Sequence, residues 1–377
     1  MDYLKIFKKH KILFSVIAAV TVLVTAGCAV ASHYLGKIHF DDGKPSAAPS
    51  AYVTDEGSTA SPLASDNLVN PEKIDPAEEG DIGDFELDSE LSSQLGNADR
   101  DILANLSDQR IWHSEDVLNI LLAGIDYGNK NFPLGRSDAM ILISVNKVTQ
   151  TLNLVSLSRA AYVSIQGYNN TRLSHAHGYG GAALMLDTIE KNYKIDIDNY
   201  VSVGFDAFRK VIDILGGCTI ELTGAEASAL KSKIKENGLP YNGAGPYRLN
   251  GNLALEYVRL RKIDTDRERT GRQRKIILSL IETAKSTKPM TLYNLMNKVL
   301  PYVTTDMTKS QLITLGYTAL TDYKDWPIKQ TVIPNSPTPL TLVGSFEVLK
   351  LNWQEELKYL HEVLYKDVPD ERISYVA

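Results

Sequence analysis

The chain has 377 residues, of which 44% are hydrophobic and 23% are charged, and its formal net charge is −6. This length and composition are typical of globular protein and allow one large domain or two small ones. The mildly acidic balance gives no support to nucleic-acid binding through general positive charge, and two cysteines exclude the disulfide-rich class.

A long apolar run follows four lysines at the N-terminus. The run, Ile12–Ala31, contains no charged residue and has about the 20 residues that a helix needs to cross a bilayer. The lysines favour a cytoplasmic N-terminus. We therefore predict a cytoplasmic tail over residues 1–11 and a transmembrane helix over residues 12–34. A cleaved signal peptide, which the length of the run disfavours, and a lipoprotein signal acylated at Cys28 are the alternatives.

The next segment has the composition of an extended tether. Residues 35–111 are rich in Pro, Ser, Ala, Asp and Glu, and carboxylates greatly outnumber cations. Such a segment cannot bury enough apolar surface to fold by itself. We interpret it as an acidic extracellular spacer.

The folded domain is predicted over residues 112–377. Apolar runs between turn signals predict strands at Val117–Asp126, Ala139–Asn146, Leu152–Arg159, Ala160–Ile165, Tyr200–Phe205, Cys218–Leu222 and Gln330–Pro334. Helical spacing predicts helices at Gly180–Tyr193, Asp206–Leu215, Ala225–Glu236 and Gly251–Lys262, a long helix capped by Asp264 or Thr265, and helices at Leu292–Val303, Lys309–Asp322 and Trp353–Lys366. Alternating strands and helices indicate an α/β fold, a three-layer α/β/α sandwich with a mixed central sheet.

One helix of this domain begins in a basic segment. Residues 257–275 contain six arginines and two lysines, and arginine is the residue suited to bidentate phosphate recognition. Asp266, Arg269 and Gln273 lie at helical spacing with the apolar residues Ile276 and Leu280, so they share a face. Polar groups on a core-facing stripe predict the wall of an anion pocket; a solvated basic helix is the alternative. Arg274 lies off this stripe and is expected to matter little.

Charged residues also stand at the ends of the predicted strands. Asp126 ends the first strand, Arg136 and Asp138 precede the second, and Arg159 ends the third. In open α/β sheets, ligands bind beyond the carboxyl ends of strands. Carboxylates beside an anionic substrate suit Mg²⁺, and arginines neutralise phosphate oxygens. Together these residues predict a phosphoryl site.

Two histidines, His175 and His177, are separated by one residue. No cysteine or third histidine stands beside them, so we interpret them as structural or site-edge residues rather than zinc ligands.

The order of these motifs resembles that of the LytR-CpsA-Psr family. The resemblance covers roughly Val117–Ser286 and rests on seven segments: GID, GRSDAMILISVN, SLSR, RLSHAHGYGGAALMLDTIEKNY, FDAFRKVIDILGG, LNGNLALEYVRLRK and DTDRERTGRQ. Taken together, these motifs are specific. The predicted anchor and tether fit the same family.

This resemblance implies a Mg²⁺-dependent phosphotransferase anchored to the cell membrane, with its catalytic domain outside. Such an enzyme moves a glycopolymer, for example wall teichoic acid or capsular polysaccharide, from a polyprenyl-pyrophosphate carrier onto peptidoglycan through a phosphodiester bond. The family's apolar pocket for the polyprenyl tail would be lined by Ala182–Ile189 and Phe208–Leu215.

The resemblance also implies roles for individual residues. Asp126 and Asp138 match the Mg²⁺-associated aspartates. Catalytic roles fall to Arg159, Arg269, Asp266 and Gln273. Pyrophosphate binding falls to six arginines: Arg136, Arg159, Arg259, Arg261, Arg269 and Arg272.

Two positions depart from the family pattern. The arginine that usually follows the first-strand aspartate is missing from GIDYGNK, and Ala160 stands where the family usually has an aspartate. Asp266 or Asp138 is therefore the remaining candidate for a general base. A non-catalytic polyprenyl-pyrophosphate scaffold or sensor, and a hydrolase of the same pyrophosphate, are the alternative functions. The predicted topology disfavours a DNA-binding regulator.

Overall fold

The computed structural model describes the following residues of the chain. These are residues 39–40, 102, 105–106, 108, 110–128, 131–261, 263, 265–287, 291, 298, 300–308, 311, 315, 318–319 and 322–376. The predicted transmembrane helix lies outside them, as do Cys28 and most of the helices predicted at Leu292–Val303 and Lys309–Asp322. No helix among the described residues is long and apolar enough to span a membrane.

The described strands include one large mixed sheet. In chain order the strands are β1 His39–Phe40, β2 Ile111–His113, β3 Val117–Asp126, β4 Arg136–Asn146, β5 Thr151–Leu157, β6 Tyr162–Val163, β7 Thr171–Arg172, β8 Asn199–Gly204, β9 Cys218–Leu222, β10 Gly245–Leu249, β11 Val303–Thr305, β12 Ile328–Ile333, β13 Leu340–Val343, β14 Phe346–Leu349 and β15 Ser374–Val376. Seven of them form the central sheet in the order β1-β11-β8-β3-β4-β5-β12. Pairing is antiparallel for β3–β4 and β4–β5 and parallel for β5–β12 and β3–β8. The predicted mixed sheet is confirmed.

The α-helices named below are α1 Leu173–Tyr193, α2 Phe205–Ile214, α3 Gly224–Ala229, α4 Lys231–Glu236, α5 Gly251–Val258, α6 Asp266–Ser286 and α7 Trp353–Leu364. The helix predicted over Gly180–Tyr193 is the second half of α1, which has a break where Gly181 adopts a φ of 67° that favours glycine. The helix predicted over Ala225–Glu236 is two short helices, α3 and α4.

Helices cover both faces of the central sheet. Side chains alternate along β5, so Val155 and Leu157 join the first core, which is formed with α1 and α7. Ser156 faces the opposite side, where it meets α6. A second core lies under α5 and α6 and contains Ile276 and apolar residues of the antiparallel strand pair β9–β10. The site therefore forms where α6 crosses the ends of β4 and β5.

The limits of the predicted tether and domain stay predictions. Within the tether, the described part includes Ile102, which is 2% exposed in the first core, and Asn105, whose Nδ2 donates to the Asn192 carbonyl at 2.8 Å. The pair His39–Phe40 adds an edge strand beside Thr304–Thr305. These residues contact the domain, so at least part of the acidic segment is more than a spacer.

Glu190 near the end of α1 makes the stability of the fold pH-dependent. Its pKa is raised from 4.5 to about 7, mainly by burial and also by the nearby charges of Asp196 and Asp187, against the lowering effect of a hydrogen bond from the Ile197 amide. The folded state binds the Glu190 proton more tightly than the unfolded state does. The contribution of Glu190 to the free energy of unfolding is therefore fully present below pH 4.5 and is lost as the pH rises through about 7.

We expect Glu190→Gln to remove that component and to be more stable than the unmodified protein above pH 7. Urea unfolding at a series of pH values measures this. Glu362→Gln, on the exposed face of α7, is the matched control and should follow the unmodified curve. A Glu190→Gln curve parallel to the unmodified one would contradict the prediction.

Candidate functional site

A β-bulge directs Asp138 toward the site. The β3–β4 ladder pairs Gly124 with Ala139 and then Ile125 with Ser137, which leaves Asp138 as the extra residue. Regular alternation would place Asp138 on the same face as Met140, in the first core. The bulge instead presents it to the α6 side, as bulges beside functional sites often do.

Arg159 stands between two carboxylates just beyond β5. Its Nη1 donates to Asp138 Oδ1 at 3.0 Å, and its Nε lies 3.9 Å from Asp266 Oδ1. The side chains of Arg159 and Asp138 are only 15% and 14% exposed. A guanidinium held this way has its orientation fixed before any ligand arrives.

Arg261 approaches Asp138 from the other side. It follows α5, and its Nη2 donates to the second oxygen of the carboxylate, Oδ2, at 3.2 Å. Its side chain is 52% exposed, so one flank of the group is open to solvent. Arg259 is also exposed and lies over the Phe205 ring at 4.9 Å. Burial and then the charge of Arg159 lower the pKa of Arg261, and Arg259 adds to this, which places Arg259 near the group.

Asp266 and Arg269, on the predicted polar face of α6, lie beside Arg159. The backbone amide of Arg267 donates to Thr265 Oγ1 at 3.2 Å, so Thr265 caps the helix. One turn on, Arg269 Nη2 lies 2.5 Å from Asp266 Oδ1, and Arg269 is 4% exposed. Burial and the charge of Arg159 lower the pKa of Arg269 to about 10. Gln273 Oε1 is buried without a hydrogen-bond partner among the described residues, so it is available to a donor on a ligand.

Asp138 is the electrostatic centre of this arrangement. Burial alone would raise the pKa of its carboxyl, but the charges of Arg159 and Arg261, and then of Arg136 and Arg269, outweigh burial and lower it. Asp138 is therefore ionised at neutral pH. Four cationic side chains around one carboxylate leave an excess of positive charge, which an anion would balance.

Asp126 and Arg136 are opposite each other at the end of the β3–β4 ladder. Arg136 is 8% exposed and lies over the Phe132 ring at 5.5 Å. Asp126 Oδ1 accepts a hydrogen bond from the Gly128 amide at 2.9 Å. The segment after Asp126, which lacks the family's arginine, therefore forms a local turn. Carboxylate oxygens at the ends of two neighbouring strands fit Mg²⁺, which needs only one or two carboxylates beside substrate phosphates.

Two other features of the described residues lie elsewhere. His113, Asp196 and Asp198 bring potential metal-ligand atoms within 4.8 Å of one another, but at the opposite end of β3 from Asp126. There the His113 Nδ1 lies 2.7 Å from Asp196 Oδ2, and the Asn119 amide donates to Asp198 at 2.7 Å. A cavity lined by Trp112, His361 and other residues also contains none of the predicted site residues.

Arg272 is not brought to the group, which corrects its predicted place among the pyrophosphate-binding arginines. It is 1% exposed; its Nη1 lies 3.6 Å from Glu226 Oε1 and its Nη2 donates to the Leu260 carbonyl at 2.7 Å. From Arg269 to Arg272 the helix falls about 60° short of a full turn, and the Arg272 side chain contacts Glu226 of α3 and the Leu260 carbonyl instead of the arginine group. We interpret it as a structural residue.

The expectation that Arg274 is peripheral is wrong. Its Nη1 donates to Ser156 Oγ at 2.5 Å, and burial lowers its pKa. Ser156 is fully buried on β5. Arg274 therefore ties α6 to the central sheet, and Lys275, which is exposed, is the better residue for a silent control.

The two histidines have structural contacts, in agreement with their interpretation. His177 Nδ1 lies 2.8 Å from the Gly135 carbonyl, beside the loop that leads into β4. His175 is fully buried and stacks on Phe132 at 4.8 Å. Burial and the charge of Arg172 lower the pKa of His175 to about 3, so it is neutral.

Ser158 is the contact residue that the sequence analysis did not single out. Its Oγ donates to Asp266 Oδ2 at 3.0 Å. A serine beside a strand-ending arginine carries no pattern of its own, and only the approach of α6 makes the contact visible. Ala160, which replaces the family's aspartate, is buried, and its carbonyl accepts from the Leu349 amide at 2.7 Å.

Comparison with known proteins identifies relatives. The sequence model of the LytR_cpsA_psr family matches residues 86–361. The polyisoprenyl-teichoic acid--peptidoglycan teichoic acid transferase TagT of Bacillus subtilis is 34% identical over 185 residues, which are 48% of this chain and 56% of TagT. The chain therefore matches little more than half the length of this curated relative.

Solved structures have the same fold. A structure described as TagT bound to LIIa-WTA is 26% identical, with a TM-score of 0.54, and covers 66% of this chain and 91% of that chain. A LytR-CPS2A-psr family protein, YwtF (TagT), with bound octaprenyl pyrophosphate lipid is 26% identical, with a TM-score of 0.51, and covers 67% of this chain and 91% of that chain.

Proposed function

The chain belongs to the LytR-CpsA-Psr family, and on that premise we propose that it is a glycopolymer phosphotransferase. It would take a glycopolymer from a polyprenyl-pyrophosphate carrier and join it to peptidoglycan through a phosphodiester bond. The observation that carries the proposal is the group of Arg159, Arg261 and Arg269 around Asp138 and Asp266. Similarity to the teichoic acid transferase TagT supports teichoic acid as the cargo, with capsular polysaccharide as another member of the same substrate class.

The arginines would hold the pyrophosphate and stabilise its transition state. A hydroxyl of peptidoglycan attacks the phosphorus next to the glycan; a new P–O bond forms, the P–O–P bridge breaks, and polyprenyl phosphate leaves. Negative charge then moves to the bridging oxygen and the leaving phosphate. Guanidiniums that are already oriented, such as Arg159 and Arg269, stabilise that charge without rearrangement.

The hydroxyl proton needs an acceptor. Asp138 is held ionised by arginines that bond both of its oxygens, so its role is to orient them. Asp266 has a more exposed side chain, at 23%, and its Oδ2 is bonded by the neutral hydroxyl of Ser158 rather than by an arginine, so we propose it as the proton acceptor. In a loose phosphoryl-transfer transition state, little base strength is required.

Asp126 and Asp138 would hold a Mg²⁺ ion. When bound, the ion would neutralise phosphate oxygens of the pyrophosphate. Asp126 has only a local turn contact, whereas Asp138 also orders two arginines. We therefore expect Asp126→Asn to raise the Mg²⁺ concentration for half-maximal transfer roughly tenfold or more, with activity recovered at high Mg²⁺.

The matched variant Asp138→Asn should lose activity that Mg²⁺ does not restore, because its arginines lose their common partner. Initial transfer rates across a Mg²⁺ titration measure both variants. If Asp126→Asn has the unmodified Mg²⁺ dependence, Asp126 is not a metal ligand.

The decisive assay separates transfer from its two alternatives. The protein is incubated with a polyprenyl-pyrophosphate oligosaccharide, Mg²⁺ and peptidoglycan oligomers. A joined product supports the phosphotransferase, released glycan phosphate without a joined product supports the hydrolase, and tight binding without either supports the scaffold or sensor.

We also propose that residues 12–34 anchor the protein in the cell membrane with the domain outside. The uncharged run and the lysines before it support this placement, and the lipid carrier of the proposed reaction is itself a membrane molecule. N-terminal sequencing of the membrane-bound protein tests it. A mature chain that starts at an acylated Cys28 would favour the lipoprotein alternative.

We propose that the polyprenyl tail lies in an apolar pocket between the sheet and the helices, lined by Ala182–Ile189 and Phe208–Leu215. Met185 and Ile189 of α1 belong to the first core, and Ile212 of α2 belongs to the second.

A further inference from the structure

We propose that Ser158 is a positioning residue of this site, which holds Asp266 so that one carboxylate oxygen is reserved for Arg269 and Arg159. The inference rests on the proposed phosphotransfer and assigns a role to Ser158, which lies within the SLSR segment but is not one of the charged residues to which the resemblance assigns roles.

The Asp266 carboxylate is divided between two kinds of partner. Oδ2 accepts the hydrogen bond from Ser158 Oγ at 3.0 Å. Oδ1 lies 2.5 Å from Arg269 Nη2 and 3.9 Å from Arg159 Nε. Because the Ser158 hydroxyl bonds Oδ2, it fixes the rotation of the carboxylate and keeps Oδ1 toward the two guanidiniums.

Ser158 is itself held rigidly. It is 3% exposed, and its amide donates to the Ile333 carbonyl of β12 at 2.9 Å. The Ala160 amide donates to Ser158 Oγ at 3.4 Å, and the Ala161 amide donates to the Ser158 carbonyl at 3.1 Å. Since Oγ is an acceptor on one side, its proton is directed to Asp266. The first residue of α6 is thereby fixed to the ends of β5 and β12.

This contact sets how Arg159 is shared between two carboxylates. Arg159 Nη1 bonds Asp138 at 3.0 Å and its Nε is at a longer 3.9 Å from Asp266. Without the serine, Asp266 is free to rotate and draw Arg159 or Arg269 into a closer pair. A displacement of about 1 Å in a catalytic group can cost roughly 100-fold in rate, so the loss should fall on turnover rather than on substrate affinity.

The test compares Ser158→Ala, Ser158→Cys and Ser158→Thr with Ser144→Ala. Ser144 is a fully buried serine of β4 whose Oγ has no hydrogen-bond partner in the described part of the chain. Ser144→Ala therefore also removes a buried hydroxyl but leaves the hydrogen bond between Ser158 and Asp266 intact. The transfer assay gives kcat and KM for each full-length protein, and thermal unfolding gives its Tm.

We expect Ser158→Ala to lower kcat roughly tenfold or more, the range for a hydrogen bond to a charged group, with KM changed less than about threefold and Ser144→Ala unchanged. Ser158→Thr keeps the hydroxyl and should retain most of kcat. Ser158→Cys keeps a side chain of similar volume but replaces the hydroxyl by a weak donor, so its kcat should be as low as that of Ser158→Ala. This variant provides the test if Ser158→Ala does not fold. The inference would be overturned if Ser158→Ala or Ser158→Cys had the kcat of the unmodified protein. It would also be overturned if Ser158→Cys and Ser158→Thr lowered kcat equally.

A second readout separates this inference from the proposed function. If the unmodified protein transfers nothing, the phosphotransferase proposal fails by itself. Crystal structures of the unmodified protein and Ser158→Cys then decide the role of Ser158. A turn of Asp266 toward Arg159 or Arg269 supports positioning, whereas an unchanged Asp266 overturns it.

Discussion

Replacing Arg159 by lysine should lower kcat/KM for glycopolymer transfer by roughly 10²–10³, the loss typical when one preorganised donor is removed from a desolvated site. Lysine keeps the charge but is a point donor, whereas the guanidinium bonds Asp138 with Nη1 while its Nε faces Asp266. One ammonium cannot do both and also meet a phosphate oxygen. The effect is therefore predicted to come from geometry rather than from charge.

The matched control is Arg372→Lys. Arg372 also pairs with an aspartate, its Nη1 donating to Asp116 at 3.0 Å, but its side chain is 59% exposed and lies away from the arginine group. Steady-state kinetics should show full activity for this variant. If Arg159→Lys keeps more than about a third of the activity, orientation of the guanidinium is not what catalysis requires.

Regular periodicity made some of the site predictable. Side chains on one helix face recur every three or four residues, so the shared direction of Asp266, Arg269 and Gln273 follows from their spacing alone. Likewise, the apolar run that ends at Asp126 is β3 with the predicted bounds. Both properties depend only on neighbours in the chain.

Contacts between distant elements were not predictable in the same way. Asp138 reaches the α6 side through a β-bulge, and a bulge depends on the register of two strands. Arg274 was expected to be peripheral, but its partner is a serine 118 residues earlier in the chain. Strand β10, which pairs antiparallel with β9, is not predicted from the sequence because Gly245, Pro246 and the surrounding residues have loop composition.

Arg272 illustrates the same limit. The motif that contains it is correct, and helical spacing places it near Arg269, but spacing does not reveal what lies opposite each side chain. The partner, Glu226, is the third residue of α3, where its Oε2 also accepts the Thr223 amide at 2.9 Å in a capping box. A buried arginine with a buried carboxylate is a structural pair, and its removal should therefore affect stability first.

We expect Arg272→Met to lower the free energy of unfolding by about 3–5 kcal/mol, because it leaves the Glu226 carboxylate buried without its cation. Glu226 and Arg272 side chains are only 6% and 1% exposed, so water cannot compensate. Urea denaturation measures the change. Lys233→Ala, which removes an exposed ion pair with Glu236, is the control and should change stability by about 0.5 kcal/mol or less.

Adding Glu226→Gln to Arg272→Met should recover part of the lost stability. Glutamine can still accept the Thr223 amide in the capping box, but it carries no charge that requires a partner, so the double variant removes the cause of the penalty. If both variants instead unfold like the unmodified protein while Arg272→Met weakens the binding of farnesyl pyrophosphate, Arg272 is a ligand residue as its motif implies. Loss of stability with recovery in the double variant would establish that Arg272 serves the fold through Glu226, in contrast to the ligand roles proposed for Asp266, Arg269 and Gln273 on the same helix.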